Sequence, residues 1–139
     1  MISADLAGKR TIVTGGASGL GMATVRTFAE NGSAVAICDL DGDRIHGSVQ
    51  SLLDEGFDVF ATPADLRDGD QARAAVRTAA QRMGGIDYLV NLAGHPVTMS
   101  IISPDDLDGQ TEELWEEVLS VNLLSAFRTA HAAAPYLRE

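Results

Sequence analysis

Short apolar runs alternate along the chain with longer stretches in which apolar residues return every three or four positions. The runs at 10–14, 34–39, 57–61 and 86–92 read as strands. The second of them, Ala-Val-Ala-Ile-Cys-Asp, stays apolar until its closing carboxylate, the pattern of a central strand buried on both faces. Between the strands, residues 21–30 read as a helix with Ala23, Val25, Phe28 and Ala29 inward and Asn31-Gly32 as its stop. Residues 41–55 predict a second helix, ended by Gly56, and Pro63 stops the third strand. Residues 68–82 predict a third helix, with Ala72, Ala75, Val76 and Ala79 on one face and Gly84-Gly85 beyond. A loop over 95–110 then holds Pro96, Pro104, Gly109 and the acidic residues Asp105, Asp106 and Asp108. Thr111-Glu112-Glu113 opens the last helix, setting negative side chains at the positive end of its dipole.

Strands alternating with helical stretches predict an α/β fold, a Rossmann-type doubly wound parallel sheet with right-handed crossovers. A full dinucleotide-binding sheet has about six strands. Four are visible here, so the expectation is a sheet truncated after about four strands, in one incomplete domain over 1–139. The last helix has no Gly or Asn cap and stops on the acidic Glu139, at the dipole's unfavourable end. Glu139 is therefore expected to be a cut.

Composition narrows the function classes. Ten Lys and Arg against twenty Asp and Glu give a net charge of −10, which argues against a nucleic-acid surface and fits plain solubility. No apolar run approaches the ~20 residues that span a bilayer, and residues 1–10 lack the apolar stretch of a secretory signal. The single cysteine, Cys38, leaves no internal disulfide and fits a reducing cytoplasm, where a buried strand thiol is inert. His46, His95 and His131 lie far apart with no second ligand at metal-binding spacing, so no metal is expected.

The chemistry is concentrated in Thr14-Gly15-Gly16-Ala17-Ser18-Gly19-Leu20-Gly21, directly after the first strand. A strand that ends in a glycine turn and opens a helix offers backbone N–H groups and a positive helix end to one phosphate. Gly15 permits the turn, Gly19 lets backbone approach a pyrophosphate, and Gly21 lets the helix pack closely on the strand. Asp39 ends the second strand about 20 residues further on, where a carboxylate accepts hydrogen bonds from the adenosine ribose. A 2′-phosphate there meets a like charge, and Gly16, Ala17 and Leu40 supply no Arg or Lys to hold it. The expected cofactor is NAD in preference to NADP. An Asp closing a strand is also a turn residue or helix cap, a reading that suits Asp41.

The Gly-x-x-x-Gly-x-Gly spacing, with Thr in front, resembles the short-chain dehydrogenase/reductase family in its classical branch. The resemblance runs from the first strand to the last helix and implies a cofactor set of Gly15, Ser18, Gly19, Leu20, Gly21, Asp39 and Leu40. It implies that Asp65 contacts the adenine edge with Leu66 beside the ring; capping of the following helix is the other reading of Asp65. Asn91-Leu92-Ala93-Gly94 is similar to the family's Asn-Asn-Ala-Gly, which places Asn91, Ala93 and Gly94 against the cofactor. Leu92 replaces the second Asn and puts in doubt a polar contact that ties the sheet together. Asn122, among Leu114, Val118, Val121 and Leu123, is expected to be a buried amide in need of a partner. The family's Asn at this place bends the helix and holds a water of the proton relay, so Asn122 is the candidate catalytic residue.

The family transfers a hydride between its cofactor and an alcohol or carbonyl, using a Ser and a Tyr with Lys four residues later. Tyr88 is followed at that position by Leu92, and Tyr136 lies on the helical stretch of Asn122, behind Pro135. No turnover is therefore expected of these 139 residues alone. Two other readings stand beside the oxidoreductase: a protein that binds NAD(H) without catalysis, and an interaction module. The fourth strand is an expected open edge, and Ala126, Ala130, Ala132, Ala133 and Ala134 an expected close-packed helix contact, so a homo-oligomer is anticipated. His95 is a candidate substrate contact, and Trp115 reads as packing with Leu114 and Val118.

Overall fold

The structure, a computed structural model, describes residues 4–40, 42–95, 103 and 105–138. Strand β1 (Arg10–Thr14) leads through the glycine turn into helix α1 (Gly19–Glu30), and β2 (Ala34–Cys38) follows. Helix α2 (Asp43–Asp54), strand β3 (Val59–Ala61), helix α3 (Gly69–Met83) and strand β4 (Tyr88–Asn91) complete the alternation. The four strands form one parallel sheet in the order β3-β2-β1-β4, as the pattern predicts. Residues 96–102 and 104 of the predicted loop over 95–110, and the turn role of Asp41, lie outside the described residues.

Register places the site. Thr14 pairs with Cys38 on one side and with Asn91 on the other, so the carboxyl ends of β1, β2 and β4 are level. Gly15, Asp39 and Leu92 therefore leave the sheet along one edge. Strand order reverses between β1 and β4, and crevices at such switch points are where ligands bind in open α/β sheets.

Alternate strand residues feed two apolar layers, as a pleated sheet covered on both faces requires. Val13, Val35, Ile37 and Val59 pack with Val25 of α1 and Ile45 and Leu52 of α2. Ile12, Ala36, Cys38 and Phe60 pack on the other face with Ala72, Val76 and Ala79 of α3. Burial of β2 on both faces and the inward alanine stripe of α3 match the sequence pattern. Ala23 does not: α1 begins at Gly19, which turns Gly21, Val25 and Ala29 inward and leaves Ala23 exposed.

The last helix is interrupted. Helix α4 (Glu112–Leu119), capped by the Thr111 hydroxyl accepting from the Leu114 N–H, passes into a π-helical segment at Ser120–Leu124 and then into α5 (Ser125–Ala133). A 3-10 turn, Tyr136–Arg138, follows. Helix α5 packs on α3 and β4, with Ala133 fully buried and Ala132 against the same core. The five alanines of the expected helix contact are thus not one outward face. Trp115 also departs from expectation, because it is 56% exposed; Leu119, Leu123 and Phe127, at four-residue steps after it, are exposed as well. Among the described residues β4 pairs only with β1, leaving Tyr88 exposed on an open edge.

Candidate functional site

A cavity of about 560 Å³ opens at the level carboxyl ends of the strands, lined by the glycine turn, Asp39-Leu40, the 64–67 loop and Leu92 to His95. The turn is built for close approach. Gly15 has φ +66°, and a Cβ there would stand 2.8 Å from the Ala93 nitrogen and from the Leu92 carbonyl oxygen. Gly21 presses on the turn itself, since a Cβ would collide with the Gly15 carbonyl oxygen. Gly19, at φ +52°, faces open space with nothing within 4 Å of a Cβ position. Two of the three glycines thus let chain segments meet, and the third leaves room above the helix end.

The first turn of α1, with Ser18, Gly19, Leu20 and Gly21, lines the cavity. That turn carries no acidic side chain, whereas α2, α3 and α4 carry Asp43, Asp70, and Glu112 with Glu113 in theirs. The α1 start, which faces the cavity, thus brings no carboxylate of its own. Its unshared N–H groups and dipole favour an anion from outside the chain.

Asp39 lies just past β2, half-buried, with each carboxylate oxygen accepting one backbone N–H: Ala17 at 2.9 Å and Leu40 at 2.8 Å. These bonds fix the carboxylate beside the glycine turn. An ionised carboxylate offers about four lone-pair sites, so acceptor capacity remains for ligand hydroxyls. Leu40 is exposed against the same cavity. Arg44, from the first turn of α2, also lines it and was not among the residues the sequence pointed to. It stands five residues past Asp39, on a helix and not in the turn that leaves β2.

Asp65 lines the cavity, held by a two-pronged pairing with Arg67, Nε to Oδ1 at 3.0 Å and Nη2 to Oδ2 at 2.7 Å. That guanidinium holds the Asp65 carboxyl below its usual range. Helix capping is done by Asp68, which accepts from the Asp70 and Gln71 N–H groups, and not by Asp65. Leu66 is mostly buried in the core and presents only part of itself to the cavity.

Ala93 and Gly94 line the cavity; Asn91 does not. The Asn91 carboxamide oxygen accepts from Thr129 at 2.7 Å and from Thr14 at 3.4 Å, and Thr14 in turn accepts from the Leu92 and Ala93 N–H groups, each at 3.1 Å. Thr14 and Asn91 thereby make the polar tie between β1 and β4 with Leu92 in the second position. Asn122 also stands behind the wall. It is exposed, not buried as expected, and its Nδ2 donates to the carbonyls of His95 at 3.2 Å and Val118 at 3.0 Å. It sits in the π segment, next to the cavity-lining Val121, so the helix is irregular at the expected position. His95 lines the cavity. Tyr136 packs against the core away from it, and burial pushes the Cys38 thiol up to about 12.

Among the described residues no three His, Cys, Asp or Glu are grouped to hold a metal, and no helix is long and apolar enough to cross a membrane.

Known proteins share this architecture. The chain matches the short chain dehydrogenase family over residues 9–139. It is similar to a short chain dehydrogenase/reductase of Colletotrichum higginsianum, 37% identical over 94% of this chain and 47% of that protein. It is 32% identical, over its whole length and 51% of the relative's, to a 2,3-dihydro-2,3-dihydroxybenzoate dehydrogenase of Bacillus subtilis. A crystal structure of a short chain dehydrogenase from Burkholderia cenocepacia in complex with NADP superposes with a TM-score of 0.84 at 35% identity, covering 96% of this chain and 53% of that one. The chain spans about half the length of the curated relatives it matches. With the parallel sheet, the glycine cradle and this extent of match in hand, the chain belongs to the short-chain dehydrogenase/reductase family.

Proposed function

We propose that residues 1–139 form the cofactor-binding portion of an oxidoreductase that interconverts an alcohol and a carbonyl. The observation that carries this is the α1 start, which faces the cavity free of carboxylates beside a glycine with open space above it. These features fit a nicotinamide dinucleotide. Gly15, Ser18, Gly19, Leu20 and Gly21 would hold its pyrophosphate, Asp39 and Leu40 its adenosine ribose, Asp65 and Leu66 its adenine, and Ala93 and Gly94 the path toward the nicotinamide. Asn91 supports that path from behind, through Thr14.

NAD is the preferred form, because the Asp39 carboxylate accepts from ribose hydroxyls and repels a 2′-phosphate. Bound there, the nicotinamide supplies or takes up a hydride. The chain's own contribution is to bind and orient. Asn122 fixes the His95 carbonyl, and so the end of the β4 loop, by its side-chain amide. A reducing cytoplasm suits the lone buried thiol.

The substrate class is a small alcohol or carbonyl compound. Tyr88 stands on the sheet edge and Tyr136 against the core, so no tyrosine among the described residues reaches the cavity to move a proton. These residues by themselves are expected to bind dinucleotide without turning over alcohol. The open β4 edge and the apolar surface of Trp115, Leu119, Leu123 and Phe127 support assembly as a homo-oligomer. Titration of NADH fluorescence tests the reading: enhanced, blue-shifted emission that saturates supports it, and emission unchanged at millimolar protein contradicts it.

A further inference from the structure

The loop that follows β3 is gripped from the far end of the chain. Arg128, on α5, donates from Nη1 to the Leu66 carbonyl at 3.1 Å and to the Ser120 hydroxyl at 3.3 Å. Ser120 opens the π segment that carries Asn122. One half-buried guanidinium therefore bridges the cavity-lining loop and the irregular turn of the helix behind it. A second tie lies alongside. Arg67, which clamps Asp65, also approaches Glu117 of α4 at 3.6 Å. Each residue of Asp65-Leu66-Arg67 is thus held, directly or through its neighbour, by a residue at least 50 positions later.

The backbone of the loop is held from its own side as well, with the Asp65 N–H on Gln71 Oε1 at 3.0 Å and Leu66 buried in the core. Strand β3 is only three residues long. Backbone bonds to the β2 side continue past it, from the Thr62 N–H to the Ile37 carbonyl at 2.8 Å and from the Ala64 N–H to the Asp39 carbonyl at 2.9 Å, and they end just before Asp65. The position of the Asp65 carboxylate then depends on side-chain contacts, and a fork-shaped cation on a backbone carbonyl is a directional one. Rigid support of this kind decides whether a recognition group stands where the ligand needs it.

We propose that Arg128 is a positioning residue of the cofactor site, setting the 65–67 loop so that the Asp65 carboxylate meets the amino group of the purine. The inference rests on the reading of the cavity as a dinucleotide site. It assigns Arg128 no contact with the cofactor.

The test compares NAD with its hypoxanthine analogue, which carries a carbonyl oxygen where adenine carries an amino donor. An Asp65 carboxylate in place accepts from the amino group and faces the carbonyl with like polarity, so the unaltered protein binds NAD more tightly. Arg128→Met keeps the length of the side chain and removes its donors. It is expected to weaken NAD about tenfold, the effect of losing one charge-assisted hydrogen bond, and to compress the preference between the two dinucleotides. Arg128→Lys keeps one donor and is expected to restore part of that preference. Equal weakening of both dinucleotides, with the preference retained, overturns the proposal in favour of a general structural role. Unchanged binding of both by Arg128→Met, or an unaltered protein with no preference, also overturns it. An unaltered protein that binds neither dinucleotide contradicts the cofactor site itself. Melting temperatures taken in parallel identify a variant that has merely unfolded, and Arg128→Lys then decides.

Discussion

The carboxamide of Asn122 holds the carbonyl of His95, Nδ2 to oxygen at 3.2 Å, across 27 positions of sequence. The same carboxamide stands so close to Gly94 that a Cβ there would meet its oxygen at 2.6 Å. A helix irregularity and the end of the β4 loop therefore fix one another. Asn122→Ala removes two donors from an exposed position, and is expected to lower stability by only about 1 kcal/mol. Amide exchange should rise selectively over residues 93–95, measured by mass spectrometry. Unchanged protection in that stretch would show that the loop does not depend on Asn122.

The glycines of the turn differ in what a methyl group would meet. Gly21→Ala drives a Cβ into the Gly15 carbonyl oxygen, and overpacking against backbone typically costs about 1–3 kcal/mol. Gly19→Ala meets nothing, so its cost is the left-handed backbone, about 1 kcal/mol. Thermal melting should rank Gly21→Ala well below Gly19→Ala. The reverse order would mean that the helix start does not press on the turn.

Arg10 and Asp87 close the opposite end of the sheet, where Arg10 Nε donates to Asp87 Oδ2 at 2.8 Å. The guanidinium holds the Asp87 carboxyl below its ordinary value. A carboxyl depressed in the folded state contributes stability that is present above its unfolded value near 4 and lost as pH falls through the folded value. Urea midpoints should therefore drop on acidification below about pH 4. Asp87→Asn should start lower at pH 7 and fall less. An equally steep fall in the variant would remove Asp87 from the acid response.

Most of the fold was legible because its signals are local. Continuous apolar runs marked the strands, and Asn31-Gly32, Gly56 and Gly84-Gly85 marked the helix ends. The π segment was not legible, since Ser-Val-Asn-Leu-Leu contains no Gly or Pro and its deviation is in backbone pairing. The exposure of Asn122 was not legible either, since its apolar neighbours Leu123 and Leu124 are themselves exposed. The cavity's glycines and Asp39 could be read from spacing, whereas Arg44, Arg67 and Arg128 emerge only where distant segments meet.

Arg44 and Asp39 line the same cavity, so a cation stands in the region proposed for the ribose. In an Asp39→Ala background NADP affinity should rise, with Arg44 free to meet the 2′-phosphate. Adding Arg44→Ala should reverse that gain by about tenfold, while NAD affinity changes little. Calorimetric titration of the single and double variants measures both. A gain that persists in the double variant would exclude Arg44 from phosphate contact.

The most direct measurement is calorimetric titration of the unaltered protein and of Asp39→Ala with NAD and with NADP. The carboxylate beside the glycine turn predicts that the unaltered protein prefers NAD. It also predicts that the variant loses roughly ten- to a hundredfold in NAD affinity and no longer discriminates against NADP. Equal affinities for the two cofactors, unchanged by the substitution, would contradict the assignment of Asp39 to the ribose.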